Sequence, residues 1–101
     1  MIGLACNRCV LSGELFELED LRYTPAGIAR IGCKIRHVST QQEAGMERMI
    51  QCDVPAVALG KIAQQLSGLI QGQQLRVEGF LAQRSLRNTQ LILHIDNINL
   101  E

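Results

Sequence analysis

The sequence predicts an all-β fold, a five-stranded barrel with one short helix between the third and fourth strands. Apolar and polar residues alternate with a period of two in several segments, which is typical of strands with one buried and one exposed face. One segment, Ala56–Leu69, has helical spacing instead. Glycine, proline and short polar runs separate these segments, and such residues favour turns.

The first predicted strand covers Leu4–Glu19 and has Gly13 in its interior. Apolar side chains fall on one parity before this glycine and on both parities after it. An interior glycine in such a pattern predicts a bulge or a sharp bend, which lets one strand serve two parts of a barrel. The next segment, Tyr23–Gly27, contains Pro25 and is predicted to form a turn.

The second predicted strand, Ile28–Ser39, alternates most clearly, and its exposed face carries three cations. The polar segment Gln41–Gly45 follows and is predicted to be a mobile loop. The third strand is then expected over Glu47–Val54, because Pro55 cannot donate to a central ladder. The inward parity holds Ala29, Ile31, Cys33, Ile35 and His37 in the second strand and Ile50, Cys52 and Val54 in the third; Arg30, Lys34 and Arg36 face outward.

The remaining elements are a helix and two strands. The helix is expected to end near Gly68, and the fourth strand begins at Gly72. The last strand should cover Leu91–Leu100 with a bulge near Asp96–Asn97, because its apolar parity changes there. Leu59, Ile62, Ala63 and Leu66 form the apolar face of the helix, and Leu75, Val77, Gly79 and Leu81 share one face of the fourth strand.

This order of elements is that of the OB-fold, a small, partly open Greek-key barrel. Its usual ligand surface is the second and third strands with the loops that flank them. The net charge is zero, with ten basic and ten acidic residues, so the distribution of charge must indicate a function. Four acids crowd Glu14–Asp20, whereas the ligand surface is basic, which predicts a nucleic-acid platform. Its cations are Arg30, Lys34 and Arg36 on the second strand, and Arg84 and Arg87 in the late loop.

Length and composition predict one folded domain over residues 1–101, with 47% hydrophobic residues. The chain contains no run of 18 apolar residues, and no basic region followed by a long apolar one lies at its N-terminus. A cytoplasmic protein without membrane attachment is therefore expected. No combination of nucleophile and base, paired carboxylates or phosphate-binding glycines predicts an enzyme.

Four cysteines allow two interpretations, a metal or redox site and a set of buried apolar residues. The pair Cys6 and Cys9 lacks a second pair of ligands at suitable spacing, since Cys33 and Cys52 stand alone. On a strand, the odd spacing of the first pair points the two thiols to opposite faces. The sequence therefore favours small buried residues, with no metal and no cofactor.

Six segments carry a resemblance to a known family: VLSGEL (10–15), TPAG (24–27), STQQEAGMER (39–48), QCDVP (51–55), VEGFL (77–81) and LILH (91–94). Together they resemble the family of primosomal replication protein N (PriB). The resemblance implies an OB-fold homodimer that binds single-stranded DNA. It also implies two protein partners, a PriA-type restart helicase and a DnaT-type helicase-loading factor.

The resemblance also implies DNA-contacting residues. These are Arg22 in the first turn, Met46 in the central loop, and Arg48 and Gln51 on the third strand. Met46 and Gln51 stand where the family is expected to have aromatic residues. Since stacking on an aromatic ring contributes about 1–3 kcal/mol per base, weaker DNA binding than in an aromatic-bearing relative is expected. In the late loop the family's cations correspond to Arg84 and Arg87.

Simpler interpretations remain open for several of these residues. Lys34 and Arg36 could serve solubility alone, and Arg48 could lie at a rim or form a salt bridge. Arg22 could pair with nearby Glu19 or Asp20. A second function is an adaptor whose basic face binds an acidic protein segment. For a dimer interface, the candidates are the first strand and the apolar residues Val10, Phe80 and Ile98.

Overall fold

The computed structural model describes residues 5–101, and within them the chain forms a closed barrel. The elements are β1 (Cys9–Phe16), β2 (Arg22–Tyr23), β3 (Ala29–Glu43), β4 (Met46–Leu59), α1 (Lys61–Ser67), β5 (Gln74–Gln83) and β6 (Leu91–Leu100). Neighbouring strands follow the order β1-β5-β6-β4-β3, and β1 also pairs with β3, which closes the barrel and confirms the predicted five-stranded all-β OB-fold. β2 adds two residues at the edge of β3.

The first strand closes the barrel by changing partners near Gly13. β1 pairs with β5 over Cys9–Glu14 and with β3 over Glu14–Phe16. A Cβ atom at Gly13 would lie 2.5 Å from the carbonyl oxygen of Arg36, so only glycine allows this approach. The strand is shorter than predicted at both ends, and the expected start at Leu4 lies outside the described residues.

The β3–β4 hairpin is longer than the sequence predicted. Gln41–Glu43 continue β3, and the turn is reduced to Ala44 and Gly45, with φ angles of 54° and 75°. Two successive positive φ angles are the geometry of a tight type I′ hairpin turn. The prediction of a mobile loop over Gln41–Gly45 was therefore wrong. Polar residues form this end because the hairpin extends past the barrel, where both of its faces meet solvent.

β4 passes through Pro55 and ends at Leu59. The helix α1 begins at Lys61, so the predicted start at Ala56 was five residues too early. Pairing of β4 with β6 starts only at Ala56, so at Pro55 the strand has a single pairing partner, where proline is tolerated. Beyond it, the strand is covered on both faces. Ala56, Val57 and Ala58 are consequently all buried, and a continuous apolar run does not distinguish strand from helix.

The helix α1 contributes Ala63 and Leu66 to the core and ends at Ser67 with Gly68 as its C-cap, as predicted. Seven residues are too few for a stable isolated helix, so burial of this face stabilises it. No helix within residues 5–101 is long and apolar enough to span a membrane. The largest fully buried side chains of the barrel are Leu15, Ile31, Ile35, Leu66, Leu75, Val77 and Leu93.

The predicted bulge in β6 is present. Glu78 pairs with Asn97 and Gly79 with Ile95, so Asp96 is the extra residue. The bulge restores the inward parity of Ile98, which is 7% exposed and part of the core. Ile98 is therefore not available for a dimer interface, which corrects that expectation.

Burial also corrects the expectation for the cysteines. Cys33 is buried, but Cys9 is only partly buried and Cys6 and Cys52 are exposed. Cys52 is opposite His37 on the part of the hairpin that extends past the barrel, so its inward parity does not bury it. Within residues 5–101, no group of three or more His, Cys, Asp or Glu side chains is arranged to hold a metal ion.

Candidate nucleic-acid interface

A small cleft lies on the outer face of β3 and β4, between the segment after β1 and the loop after β5. We call it the central cleft, and its volume is about 90 Å³. Three cations, Arg30, Lys34 and Arg84, line it together with two carboxylates, Glu17 and Glu19. Its remaining lining residues are Gly32, Cys33, Pro55, Ala56, Val57 and Ile92.

The alternation of β3 positions its cations. Ala29, Ile31, Cys33 and Ile35 are buried in the barrel, so the residues between them face outward, as the sequence predicted. Arg30, Lys34 and Arg36 therefore lie on one face of one strand. The register places Pro55 opposite Lys34 and Asp53 opposite Arg36 on the same face.

Two of these cations are already paired with carboxylates. Lys34 Nζ lies 3.1 Å from Glu17 Oε2, and Arg36 Nε donates a hydrogen bond of 3.2 Å to Asp53 Oδ1. The Arg36 guanidinium also stacks on Phe16, 4.1 Å from the ring centre. The hydrogen bond to Asp53, and secondarily the charge of Asp53, raises the pKa of Arg36. Arg36 is thus held by both Asp53 and Phe16.

The hairpin separates the other predicted residues onto two faces. Gln51 is opposite Val38, on the face of Lys34 and Arg36. Met46 and Arg48 have the other parity, so they lie on the reverse face of the same hairpin. Arg48 forms a salt bridge with Glu43 on that face. All three predicted contact residues of β4 are exposed. Gln51 shares a face with the cations of β3, whereas Met46 and Arg48 do not.

Four predicted cations make no salt bridge to any residue in the described range 5–101: Arg22, Arg30, Arg84 and Arg87. Arg22 is the pairing partner of Arg30 across β2 and β3. Within residues 5–101 it forms no salt bridge, so the alternative of a pair with Glu19 or Asp20 does not occur. Internal hydrogen bonds order the late loop, from Arg84 N to Gln90 O at 2.9 Å and from Ser85 N to Asn88 O at 3.2 Å.

Sequence reasoning assigned no role in the interface to Glu17 and Glu19. Glu17 has a positive φ of 48°, and the Glu19 amide donates to the Gly32 carbonyl at 2.9 Å. The Glu19 carboxylate lies over Gly32, where a Cβ atom would be only 2.7 Å from Glu19 Oε1. One signal was present in the sequence, a glycine among the outward-facing positions of β3. Such a glycine indicates that another group approaches the strand closely.

Cys33 lies beneath this cleft with its thiol buried. Burial, and secondarily the negative charge of Glu19, raises the pKa of Cys33 from 9.0 to about 12. The thiolate is the reactive form of cysteine, so this residue is chemically inert near neutral pH.

Comparisons of the sequence with known proteins agree on one family. A family model described as another single-strand binding protein family matches residues 7–97. Replication restart protein PriB of Nitrosomonas europaea is 35% identical over 89 residues, which are 88% of this chain and 82% of that protein. PriB of Neisseria meningitidis serogroup B is 42% identical over 92 residues, 91% of each protein.

Solved structures agree with the sequence comparisons. PriB from Ralstonia solanacearum superposes with a TM-score of 0.86 at 33% identity, over 95% of this chain and 98% of that one. A deletion mutant of the single-stranded DNA binding protein from Thermus aquaticus superposes with a TM-score of 0.77 at 26% identity, over 95% of this chain and 50% of that one. The barrel, the near-complete coverage and the shared sequence together establish that this chain belongs to the PriB family of replication restart proteins.

Proposed function

We propose that this protein binds single-stranded DNA during replication restart in the cytoplasm, as one OB-fold domain and without catalysis. The observation that carries the proposal is the set of arginines on the OB-fold ligand surface that have no carboxylate partner in residues 5–101. Arg30 and Arg84 border the central cleft, and Arg22 and Arg87 extend this surface on β2 and in the late loop. A flexible phosphate backbone can follow such a line of cations.

The mechanism is neutralisation of phosphates with release of their counterions. Each phosphate contact lowers the slope of log K against log salt by about 0.7 for a single strand, so binding should weaken steeply as salt rises. Sequence preference should be small, because cations of this kind contact the backbone and not the base edges. Lys34, Arg36 and Arg48 can add contacts only by exchanging a carboxylate for a phosphate.

The test is fluorescence anisotropy of a labelled oligo-dT across a salt series, with light scattering of the same samples. Arg84→Ala and Arg87→Ala should each weaken binding and reduce the salt slope by about 0.7. Arg76→Ala is the matched control, because Arg76 is an exposed cation on β5 that lies neither in the central cleft nor in the late loop. Absence of binding at low salt would exclude DNA contact. Equal losses of affinity in all three variants would contradict the assignment of DNA binding to this surface.

A homodimer would double the basic surface and let one strand cross both protomers. Support comes from the edge of β1, which β3 covers only from Glu14 onward, so Cys9–Gly13 have β5 as their only strand partner within residues 5–101. Val10 is 51% exposed on this segment, and the nearby Phe80 is 39% exposed. An open strand edge with apolar side chains beside it suits pairing with a second copy of the chain.

The proposed protein partners are a PriA-type restart helicase and a DnaT-type helicase-loading factor. A second candidate function is an adaptor that binds an acidic protein segment on the same face. One observation favours it, since the chain's own Glu17 and Glu19 already lie among the cations there. Competition decides between the two: an acidic peptide that displaces oligo-dT only at far higher concentration than unlabelled oligo-dT would favour DNA as the ligand.

A further inference from the structure

The carboxylates of Glu17 and Glu19 are held in the central cleft by the backbone around them. Between them, the Leu18 amide donates to Gln71 Oε1 at 2.9 Å, and the Glu19 amide donates to the Gly32 carbonyl at 2.9 Å. Glu17 itself adopts a left-handed conformation that few non-glycine residues use. The backbone of this segment is therefore held at Leu18 and at Glu19, and the two carboxylates are not on a freely moving loop.

Each carboxylate occupies a place that a phosphate would otherwise take. Glu17 is within 3.1 Å of Lys34 Nζ, and Glu19 lies over Gly32, which separates Arg30 from Lys34 along the outer face of β3. The absence of a Cβ atom at Gly32 makes room for the second carboxylate, since Glu19 Oε1 would be 2.7 Å from that atom. Two independent local features, a strained Glu17 and a glycine on β3, thus direct acids onto a basic face.

We infer that Glu17 and Glu19 determine the strength of nucleic-acid binding, because they compete with phosphates for the cations of the central cleft. This inference rests on the proposed function. A phosphate that approaches Lys34 must displace Glu17, and one that lies between Arg30 and Lys34 is repelled by Glu19. The cleft therefore makes fewer phosphate contacts than its cations could make, so the complex stays weak and its salt dependence is shallower than it would be without the two carboxylates.

The experiment compares charge-neutral variants that keep side-chain size. Glu17→Gln, Glu19→Gln and the double variant are titrated with labelled oligo-dT and oligo-dC across a salt series. Asp20→Asn is the matched control, because it removes the same charge from the same segment but does not line the central cleft. The double variant should bind about 5- to 20-fold more tightly, with a salt slope steeper by about 0.7 because Lys34 is released from Glu17. Asp20→Asn should change affinity less than about twofold.

Gly32→Ala provides a second route to the same answer without any change of charge. The added methyl group would displace the end of the flexible Glu19 side chain and not backbone, so the fold should tolerate it. Tighter binding by Gly32→Ala supports displacement of a competing carboxylate. Thermal unfolding of each variant verifies that the barrel is intact.

The outcomes separate this inference from the proposed function. If the wild type binds DNA and the Gln variants bind it equally well, the competition is absent although the function stands. If the Gln variants bind oligo-dC more weakly than the wild type does, the carboxylates contact base amino groups directly, and the inference is overturned. If neither wild type nor variants bind at low salt, the proposed function itself fails.

Discussion

At the scale of single residues, Cys33 reports on how well the barrel excludes water. Its pKa is about 12 in the folded chain against an ordinary value of 9.0. Below pH 9 the thiol is protonated in both the folded and the unfolded state, so it does not alter stability with pH. Above pH 9 the unfolded chain releases a proton that the folded chain keeps, and stability must fall as pH rises toward 12.

The predicted loss is about 1.4 kcal/mol of unfolding free energy for each pH unit above 9. Cys33→Ala removes this contribution and should show a shallower pH dependence. Urea denaturation of both proteins at pH 8 and pH 10.5 measures the difference, while the other alkaline groups cancel between them. Identical pH dependence in the two proteins would show that the Cys33 thiol ionises normally in the fold.

A second residue-scale prediction concerns Gln51, which the family resemblance places at an aromatic position. Gln51→Trp should tighten binding to oligo-dT, because base stacking on an aromatic ring contributes about 1–3 kcal/mol per base. The chain has no Trp of its own, so quenching of the new indole also reports binding directly. Ile70→Trp is the control, on an exposed residue after α1, and should neither quench nor alter affinity. Equal affinity of Gln51→Trp and wild type at the same salt would contradict a stacking position here.

At the scale of elements, we expect the end of the β3–β4 hairpin to contribute to DNA binding but little to the stability of the fold. Its last residues, from Thr40 to Met49, are exposed on both faces. The salt bridge between Arg48 and Glu43 is exposed too, and such pairs contribute about 0–1 kcal/mol. This end of the hairpin therefore adds surface without adding to the core.

The corresponding prediction is a shortened hairpin. Deletion of residues 40–43 and 46–49 leaves Ser39 and Ile50, an existing pair, beside the Ala44–Gly45 turn. The free energy of unfolding should change by no more than about 1 kcal/mol, because no buried side chain is removed. Oligo-dT binding should weaken through loss of Met46 and Arg48. Urea denaturation and anisotropy measure the two effects, and a large loss of stability would show that the hairpin end supports the barrel.

Sequence patterns predict an element well where one face is buried and the other is wet. β3 from Ala29 to Ile35 and the bulge at Asp96 meet that condition, and both were predicted. Gln41–Glu43 have two wet faces and Ala56–Ala58 have two covered ones, so neither segment alternates. The sequence therefore predicts a loop at Gln41–Glu43 and the start of a helix at Ala56–Ala58, and both segments are strands instead.

At the scale of the whole molecule, the candidate site was predictable only in part. The cations of β3 follow from parity, and those of the late loop follow from the order of the strands. The carboxylates of Glu17 and Glu19 reach the cleft through a left-handed residue and a close approach to Gly32, and strand periodicity does not encode either feature. The reverse orientation of Met46 and Arg48 follows from parity, but the resemblance grouped them with Gln51.

The whole-molecule prediction concerns assembly through the open edge of β1. Val10→Asp should convert a dimer to monomers, because an unpaired charge would be buried in the interface, raising the dissociation constant at least about 30-fold. Ile70→Asp, which places the same charge on an exposed residue after α1, should leave the mass unchanged. Sedimentation equilibrium of the three proteins gives the answer. A wild-type monomer, or a dimer that persists in Val10→Asp, would contradict a dimer interface at this edge of β1.

The hairpin that extends past the barrel has a further consequence for the effects of substitutions. Because its exposed end contributes little to folding, substitutions there should alter what the protein binds far more than whether it folds. Substitution of Met46 or Gln51 by an aromatic residue should leave the fold intact, because both side chains are exposed. Under the proposed function, the affinity for single strands can therefore change through this end of the hairpin while the barrel stays the same.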